Sequence, residues 1–415
     1  MFAILKYANF IISNANVIVS AAGGQPISPI DLLLPVGISF YTFRSMGYIV
    51  DVYRGLEDEP DIFKFALFVS FFPQIIQGPI SRFGNLKKTL FIRHGFNFKE
   101  FQAGLARILW GFFKKLVVAD RLFAAVSALS ASPDEYRGAY VILAMFFYAA
   151  TLYSDFTGGI DITIGAARIL GITVQENFNR PFYSVSIADY WRRWHITMGA
   201  WFRDYLFYPV SASKPLLKFT KKLKNIFGDG VGKRAQFYTP LIIVWFTTGL
   251  WHGAQWYFVV WGLVNGAVII ISEELRPLYA KFHKRFPVGQ KLWYRAFLVC
   301  KTFCMMSLIG TFYVYADVKL TFKMAFSIIT DFNLNDFITR GLGGLGLSFA
   351  DYAAVVSAVS VMIIAGFFMY NKKVEFTNLR PGLRGALMAA LFFIVLIFGV
   401  YGFGYDSREF IYNQF

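Results

Sequence analysis

The residues able to do chemistry in this chain are few, and they sit in apolar surroundings. His252 lies in YTPLIIVWFTTGLWHGAQWYFVVWGLVNG, residues 238–266, between Trp251 and Gly253. Thr248, His252 and Gln255 fall at i, i+4 and i+7, which on a helix puts them on one face. An ionisable group at membrane depth is costly and commonly faces a cavity or a partner. The segment alone reads equally as a histidine presented for proton transfer and as one satisfied by a neighbouring helix's carbonyl. A second histidine, His195, closes the run DYWRRWH. Tryptophan and tyrosine beside arginine are also the composition of an interfacial anchor, so His195 taken alone says little. Arg192 and Arg193, in the same run, carry the planar fork that suits phosphate. Asp155 and Asp161 lie in the apolar stretch 140–170 and could work as a general acid–base pair. More commonly such carboxylates pair with an arginine or cap a broken helix, and Arg168, Arg192 and Arg193 are available. Cys300 and Cys304 stand at i, i+4, with side chains ~5–6 Å apart on a helix. A disulfide needs Cβ atoms at ~3.8 Å, so these two read as packing residues. No metal site is expected.

The elements that position these groups follow from composition. Apolar residues make up 56% of 415 and charged residues 16%, with 48 Phe, 23 Tyr and 9 Trp. Long apolar runs in a charge-poor, aromatic-rich chain read as a polytopic membrane protein. Strict alternation of an outer-membrane barrel is missing, so lipid demands helices. The expected fold is an all-α polytopic membrane protein with roughly eight to ten membrane helices, some short, broken or re-entrant, around a central cavity or tunnel. The net charge of +16 lies between apolar segments. That distribution fits positive-inside orientation and contact with membrane lipids or anionic substrates, and no nucleic acid partner is expected.

Along the chain, residues 1–24 read as a poor membrane or interfacial helix, interrupted by Lys6, Asn9, Ser13, Asn14 and Asn16. Residues 62–80 contain FFPQIIQGPISRF, two prolines with two glutamines, and read as a broken or re-entrant piece. Residues 101–122 place basic and apolar residues at helical spacing, predicting an amphipathic helix at the cytoplasmic interface. Residues 211–238 carry seven Lys/Arg against Asp229 and read as the most basic loop. Both 81–100 and 211–234 are expected to face the cytoplasm. The run GLGGLGLS at 341–348 lacks a P-loop's lysine and a preceding strand, so it is no phosphate loop.

The assembled segments resemble the membrane-bound O-acyltransferase family, in particular its bacterial alginate O-acetyltransferase-like branch. The matching pieces are PVGISFYTF (35–43), DVYRG (51–55), FFPQIIQGPI (71–80), YSDFTGGIDITIGAARILG (153–171), ENFNRPF (176–182), DYWRRWHITMGAWFRDYL (189–206), GLWHGA (249–254) and the terminal EFIYNQF. The resemblance implies one membrane-embedded acyltransferase domain over 1–415, lacking the family's first N-terminal membrane segments. It implies transfer of an acyl group, foremost acetyl, from a cytoplasmic thioester such as acetyl-CoA toward hydroxyls of an extracytoplasmic polysaccharide or cell-wall glycan. D-Alanyl transfer to teichoic acid is the alternative. No bound cofactor is implied. An extracytoplasmic acyl-transfer partner protein and a bacterial cytoplasmic (inner) membrane location are. Carried over by motif, His252 is the family's invariant histidine and His195 its second polar position, with Asp155 and Asp161 in a supporting motif. Gly159-Ile160 stands where the alginate type usually has Tyr-Ser, and 211–215 replaces a usual Gly-Gly-Asn-Arg loop.

Acyl transfer to a hydroxyl needs a base, a donor for the developing oxyanion and exclusion of water. His252 fits the base. Thr248 and Gln255 are candidates to orient it or to donate, His195 to act as a second acid–base or as a donor, and Arg192 and Arg193 to hold the donor's phosphates. The rival classes are a secondary transporter or flippase, which also uses broken helices, and an inactive scaffold.

Overall fold

A computed structural model describes residues 2–31, 35–57, 61–371, 376–402 and 405, and the terminal EFIYNQF motif lies outside them. The described chain is helical, with no strand. Five of its helices are long and apolar enough to cross a membrane: Ala139–Ile169, Trp256–Glu274, Leu292–Tyr315, Phe349–Tyr370 and Pro381–Phe398. The chain divides into two compact units, 60–197 with 296–414, and 1–59 with 198–295.

The first of these is built on Ala139–Ile169, 31 residues long and buried along most of its length. Phe98–Phe112, the π-helical Phe113–Ala119 and Asp120–Ala131 form one continuous arm against it. Small residues let the backbones touch: a Cβ on Gly111 would lie 2.5 Å from the carbonyl of Gly158, and one on Gly158 would lie 2.8 Å from that of Gly111. Such bare crossings are how membrane helices gain van der Waals contact when lipid is as apolar as the side chains. The arm is therefore no surface helix. Lys114 and Lys115, expected at an interface, are 5% and 2% exposed. Their spacing is amphipathic, but the polar side meets carboxylates of another helix, which spacing cannot reveal. Tyr140, Val141, Ala144 and Tyr148 pack with Val314, Tyr315, Met324 and Leu345. Leu345 places the glycine-rich run in this core, and the Tyr140 hydroxyl donates to the Gly341 carbonyl at 3.0 Å. Residues 62–80 are broken as expected. Ile62–Ser70 is helical, Phe72–Gln74 is a single 3₁₀ turn, and buried Gln74 donates to the Pro79 carbonyl and the Ser81 hydroxyl at 3.1 and 2.7 Å. These bonds satisfy backbone that has left the helix.

The other unit holds Phe2–Ala21, Ile38–Tyr53, Lys214–Phe227, Asp229–His252, Trp256–Glu274 and Arg276–Arg285. The basic stretch 211–238 is helix rather than loop. Ser213 accepts from the Leu216 N–H at the start of Lys214–Phe227, and Leu216 and Thr220, four apart, bury one face. Gly228 (φ 89°) turns the chain into the next helix. Cys300 and Cys304, in the 60–197/296–414 unit, are free thiols, and Cys300 is exposed instead of packed.

Candidate active site

Residues 238–266 do not make one helix. Asp229–His252 stops at His252, Gly253 (φ −174°, ψ 155°) and Gln255 (φ −145°, ψ 151°) are extended, and Trp256–Glu274 starts anew. His252 is thus the last residue of its helix, at a break between two helices. Thr248 keeps the expected place one turn before it, buried, with its hydroxyl donating to the Val244 carbonyl at 2.7 Å. Gln255 does not share that face, because the helix on which i+7 was counted ends before it. The two helices then pack at bare backbone. A Cβ on Gly249 would meet the Phe258 carbonyl at 2.5 Å, and one on Gly262 the Trp245 carbonyl at 2.3 Å. This close crossing is what lets a three-residue link join them.

His252 as a residue is 7% exposed, and its ring is boxed by aromatics. Trp251 and Trp261 each stand at 4.9 Å with near-perpendicular planes, and Phe258 lies parallel at 6.5 Å. The carbonyls that end this helix would otherwise lack donors. Two side chains from Phe2–Ala21 reach them: Tyr7 donates to the Leu250 carbonyl at 3.0 Å, and the Lys6 ammonium donates to that of Trp251. Lys6 also donates to the Ser39 hydroxyl at 3.2 Å. Sequence reasoning took Lys6 only as a flaw in an apolar run. The signal was there, since a lysine inside such a run needs a partner. A cation beside helix-terminal carbonyls also meets the negative end of the helix dipole.

His195 is a different kind of position. Ile187–Arg193 opens with Ser186 accepting from the Asp189 N–H at 3.1 Å and ends before Trp194. His195 then takes φ +47°, a left-handed conformation uncommon outside glycine. The corner is locked by Asn177 of the ENFNRPF segment. Its backbone carbonyl accepts from the Ile196 N–H at 2.9 Å, and its side-chain oxygen accepts from the Thr197 N–H and hydroxyl at 3.1 and 2.9 Å. Thr197 in turn accepts from the Ile80 N–H at 3.0 Å. Neither Asn177 nor Thr197 was singled out from the sequence, although a polar residue inside a motif of aromatics was the available hint. His195 is 0% exposed, with Phe156 edge-to-face at 4.9 Å. It is therefore closed off from water by protein. Burial pushes its imidazole down to about 3, so it is neutral at physiological pH.

The carboxylates are paired. Asp161 takes Lys114 at 2.5 Å and Arg107 at 2.9 Å, and Arg107 also binds Glu176 at 2.5 Å. Asp155 takes Lys115 at 2.6 Å, and Lys115 bridges to Asp120 at 2.6 Å. Ion pairing, the commoner arrangement, is the one found, but the partners come from the facing arm. Arg168 instead binds Glu100 at 2.6 Å, and Arg192 and Arg193 bind Asp189 at 3.6 and 3.1 Å. Asp155 and Asp161 are thereby tied to the arm by buried ion pairs. Arg192 keeps a largely exposed side chain and Arg193 a quarter-exposed one.

Residues 49–222 match the model of MBOAT, the membrane-bound O-acyltransferase family. That range holds Asp155, Asp161, Arg192, Arg193 and His195 and ends before Thr248 and His252. A protein of Azotobacter vinelandii named "Probable alginate O-acetylase" is 38% identical over 274 residues, 65% of this chain and 51% of that one. The peptidoglycan O-acetyltransferase of Helicobacter pylori is 29% identical over 316 residues, 69% of this chain and 56% of its own length. The teichoic acid D-alanyltransferase of Bacillus subtilis is 27% identical over 266 residues, 62% and 64% of the two chains. The chain spans about half the length of the first of these relatives.

Proposed function

We propose that this chain, which carries a membrane-bound O-acyltransferase family domain over residues 49–222, is an O-acyltransferase acting on a cell-surface glycan. It takes an acetyl group from a cytoplasmic thioester such as acetyl-CoA and passes it across the bacterial inner membrane, toward an extracytoplasmic partner protein or the glycan itself. Acetyl is favoured over D-alanyl because identity to the alginate-type relative exceeds that to the D-alanyltransferase.

The observation that carries the reading is His252. It ends its helix at a break in the backbone, keeps 7% exposure, and stands in an aromatic box. An imidazole so placed can reach a reacting hydroxyl while its walls exclude bulk water. In the proposed step His252 accepts the hydroxyl proton as the oxygen attacks the thioester carbonyl, and the thiolate leaves and is reprotonated. His195, neutral and sealed, acts through an N–H as a fixed dipole rather than as a base. Arg192 and Arg193 hold donor phosphates, with Asp189 aligning both.

The test is thioester cleavage and acyl transfer by the purified full chain in lipid nanodiscs. Wild type is expected to turn over an acetyl thioester, and His252→Gln to lose about 10²–10⁴ in rate. Turnover near the wild-type rate by correctly inserted His252→Gln overturns the mechanism. No turnover by wild type with any acyl thioester and any supplied acceptor favours a transporter or scaffold.

A further inference from the structure

We propose that the cleft between Lys214–Phe227 and the first turns of Asp229–His252 binds the phosphodiester of an anionic phospholipid headgroup. The cleft is a shallow, open one of about 280 Å³, with Leu217 and Thr220 in its wall and Lys221, Lys224 and Lys233 around it. Gly232 lets the two helices close at the floor of the cleft. A Cβ there would sit 2.9 Å from Lys224 Cβ and 3.2 Å from the Thr220 carbonyl, so any side chain must push the two helices apart. Asp229, the acid in the lining, bonds Lys224 at 2.8 Å and offsets one of the three cations. Lys221 and Lys233 are left as the excess charge, one on each wall, which suits an anion held between them.

Size and setting choose the ligand. Pockets for drug-sized molecules run ~300–1,000 Å³. This one takes a phosphate and its ester arms, and it is too small for a whole nucleotide-bearing thioester. On the neighbouring edge of the same helix Phe219, Ile226 and Phe227 are 51%, 58% and 64% exposed. A basic helix with a bare aromatic edge is built to lie in the membrane interface, apolar edge in the acyl boundary and lysines at the headgroups. The phosphate nearest such a cleft belongs to lipid. The inference does not depend on the acyl-transfer reading.

The test uses the full chain in nanodiscs of phosphatidylcholine, with and without phosphatidylglycerol, and counts retained phosphatidylglycerol by native mass spectrometry. Lys221→Gln/Lys233→Gln should weaken retention about tenfold or more. Lys218→Gln/Lys222→Gln removes the same total charge, from Lys214–Phe227 but outside the cleft, and should retain the lipid as wild type does. Lys221→Arg/Lys233→Arg should also retain it. All four side chains are exposed, and unfolding temperatures in phosphatidylcholine alone should agree across the set. Equal loss in both Gln pairs means diffuse attraction and overturns the site. In a second arm, inorganic phosphate replaces phosphatidylglycerol and amine acetylation of Lys221 and Lys233 is followed. Protection by phosphate as complete as by the lipid overturns the lipid assignment in favour of a soluble phosphate. Protection only by the lipid supports it.

Discussion

His252 and His195 are both aromatic-walled, yet they are built oppositely. His252 ends a regular helix, and what holds it comes from outside that helix: Tyr7, Lys6 and the glycine crossing with the next helix. His195 sits in a strained corner that its own neighbourhood over-determines, through Asn177, Thr197 and Phe156. One retains 7% exposure and the other none. A group that exchanges protons with a substrate must be reachable, whereas one that presents a dipole must be immobile. In the proposed reaction, this contrast is the reason for giving the proton to His252 and the fixed geometry to His195.

The largest expected effect separates the two directly. His252→Ala and His252→Gln should be equally inactive, down about 10²–10⁴ in acetyl transfer, with unfolding temperature little changed. His195→Asn should fold, because asparagine tolerates the left-handed conformation, and should lose less activity than either. A His195→Asn enzyme deader than His252→Gln breaks the assignment.

Next comes Asn177→Ala. It strips the acceptor from the buried Thr197 N–H and hydroxyl, which costs about 1–3 kcal/mol in a site closed to water. Denaturation in mild detergent should show that loss together with reduced activity. Unchanged stability would mean the corner holds itself.

Burial of neutral His195 should make the folded protein less stable in acid. The unfolded chain binds a proton below ~6.5, while folded His195 does not until about 3. The unfolded state therefore carries more protons in that window, and stability falls as pH drops through it, by on the order of 2 kcal/mol at pH 5. In His195→Asn this part of the slope should vanish. A slope that persists unaltered assigns the acid sensitivity to other groups.

The smallest effect is Tyr7→Phe, which keeps the ring and deletes the bond to the Leu250 carbonyl. A single such bond contributes about 0.5–1.5 kcal/mol. Loss of activity should track loss of stability and stay within a few-fold. A drop like that of His252→Gln would place Tyr7 in the chemistry.

Much of this was legible in the sequence, and the failures share one cause. Apolar runs and missing alternation gave the helical class, and FFPQIIQGPI gave the broken piece. Motif content gave the resemblance that the family model matches over residues 49–222. What spacing could not give was the partner of a polar side chain when that partner lies on another helix. Lys114 and Lys115 looked interfacial because Asp155 and Asp161 are some 40 residues away in the chain. Lys6 looked like a blemish because the carbonyl it reaches belongs to Trp251. Gln255 was miscounted for a different reason. The apolar pattern continues across Gly253, so periodicity alone runs through a break that one extended glycine makes.

The paired ions also bear on how the protein reaches its membrane. Ala139–Ile169 carries Asp155 and Asp161, and a lone aspartate at a helix centre costs ~2.5–3.5 kcal/mol to insert. Their countercharges, Lys114, Lys115 and Arg107, are made earlier in synthesis, on the arm that precedes the span. Neither element is comfortable in lipid alone. Entering lipid together, as a neutralised hairpin, lowers that cost for both. On the arm alone Lys115 keeps Asp120, and Lys114 and Arg107 are the cations that gain from the span's arrival.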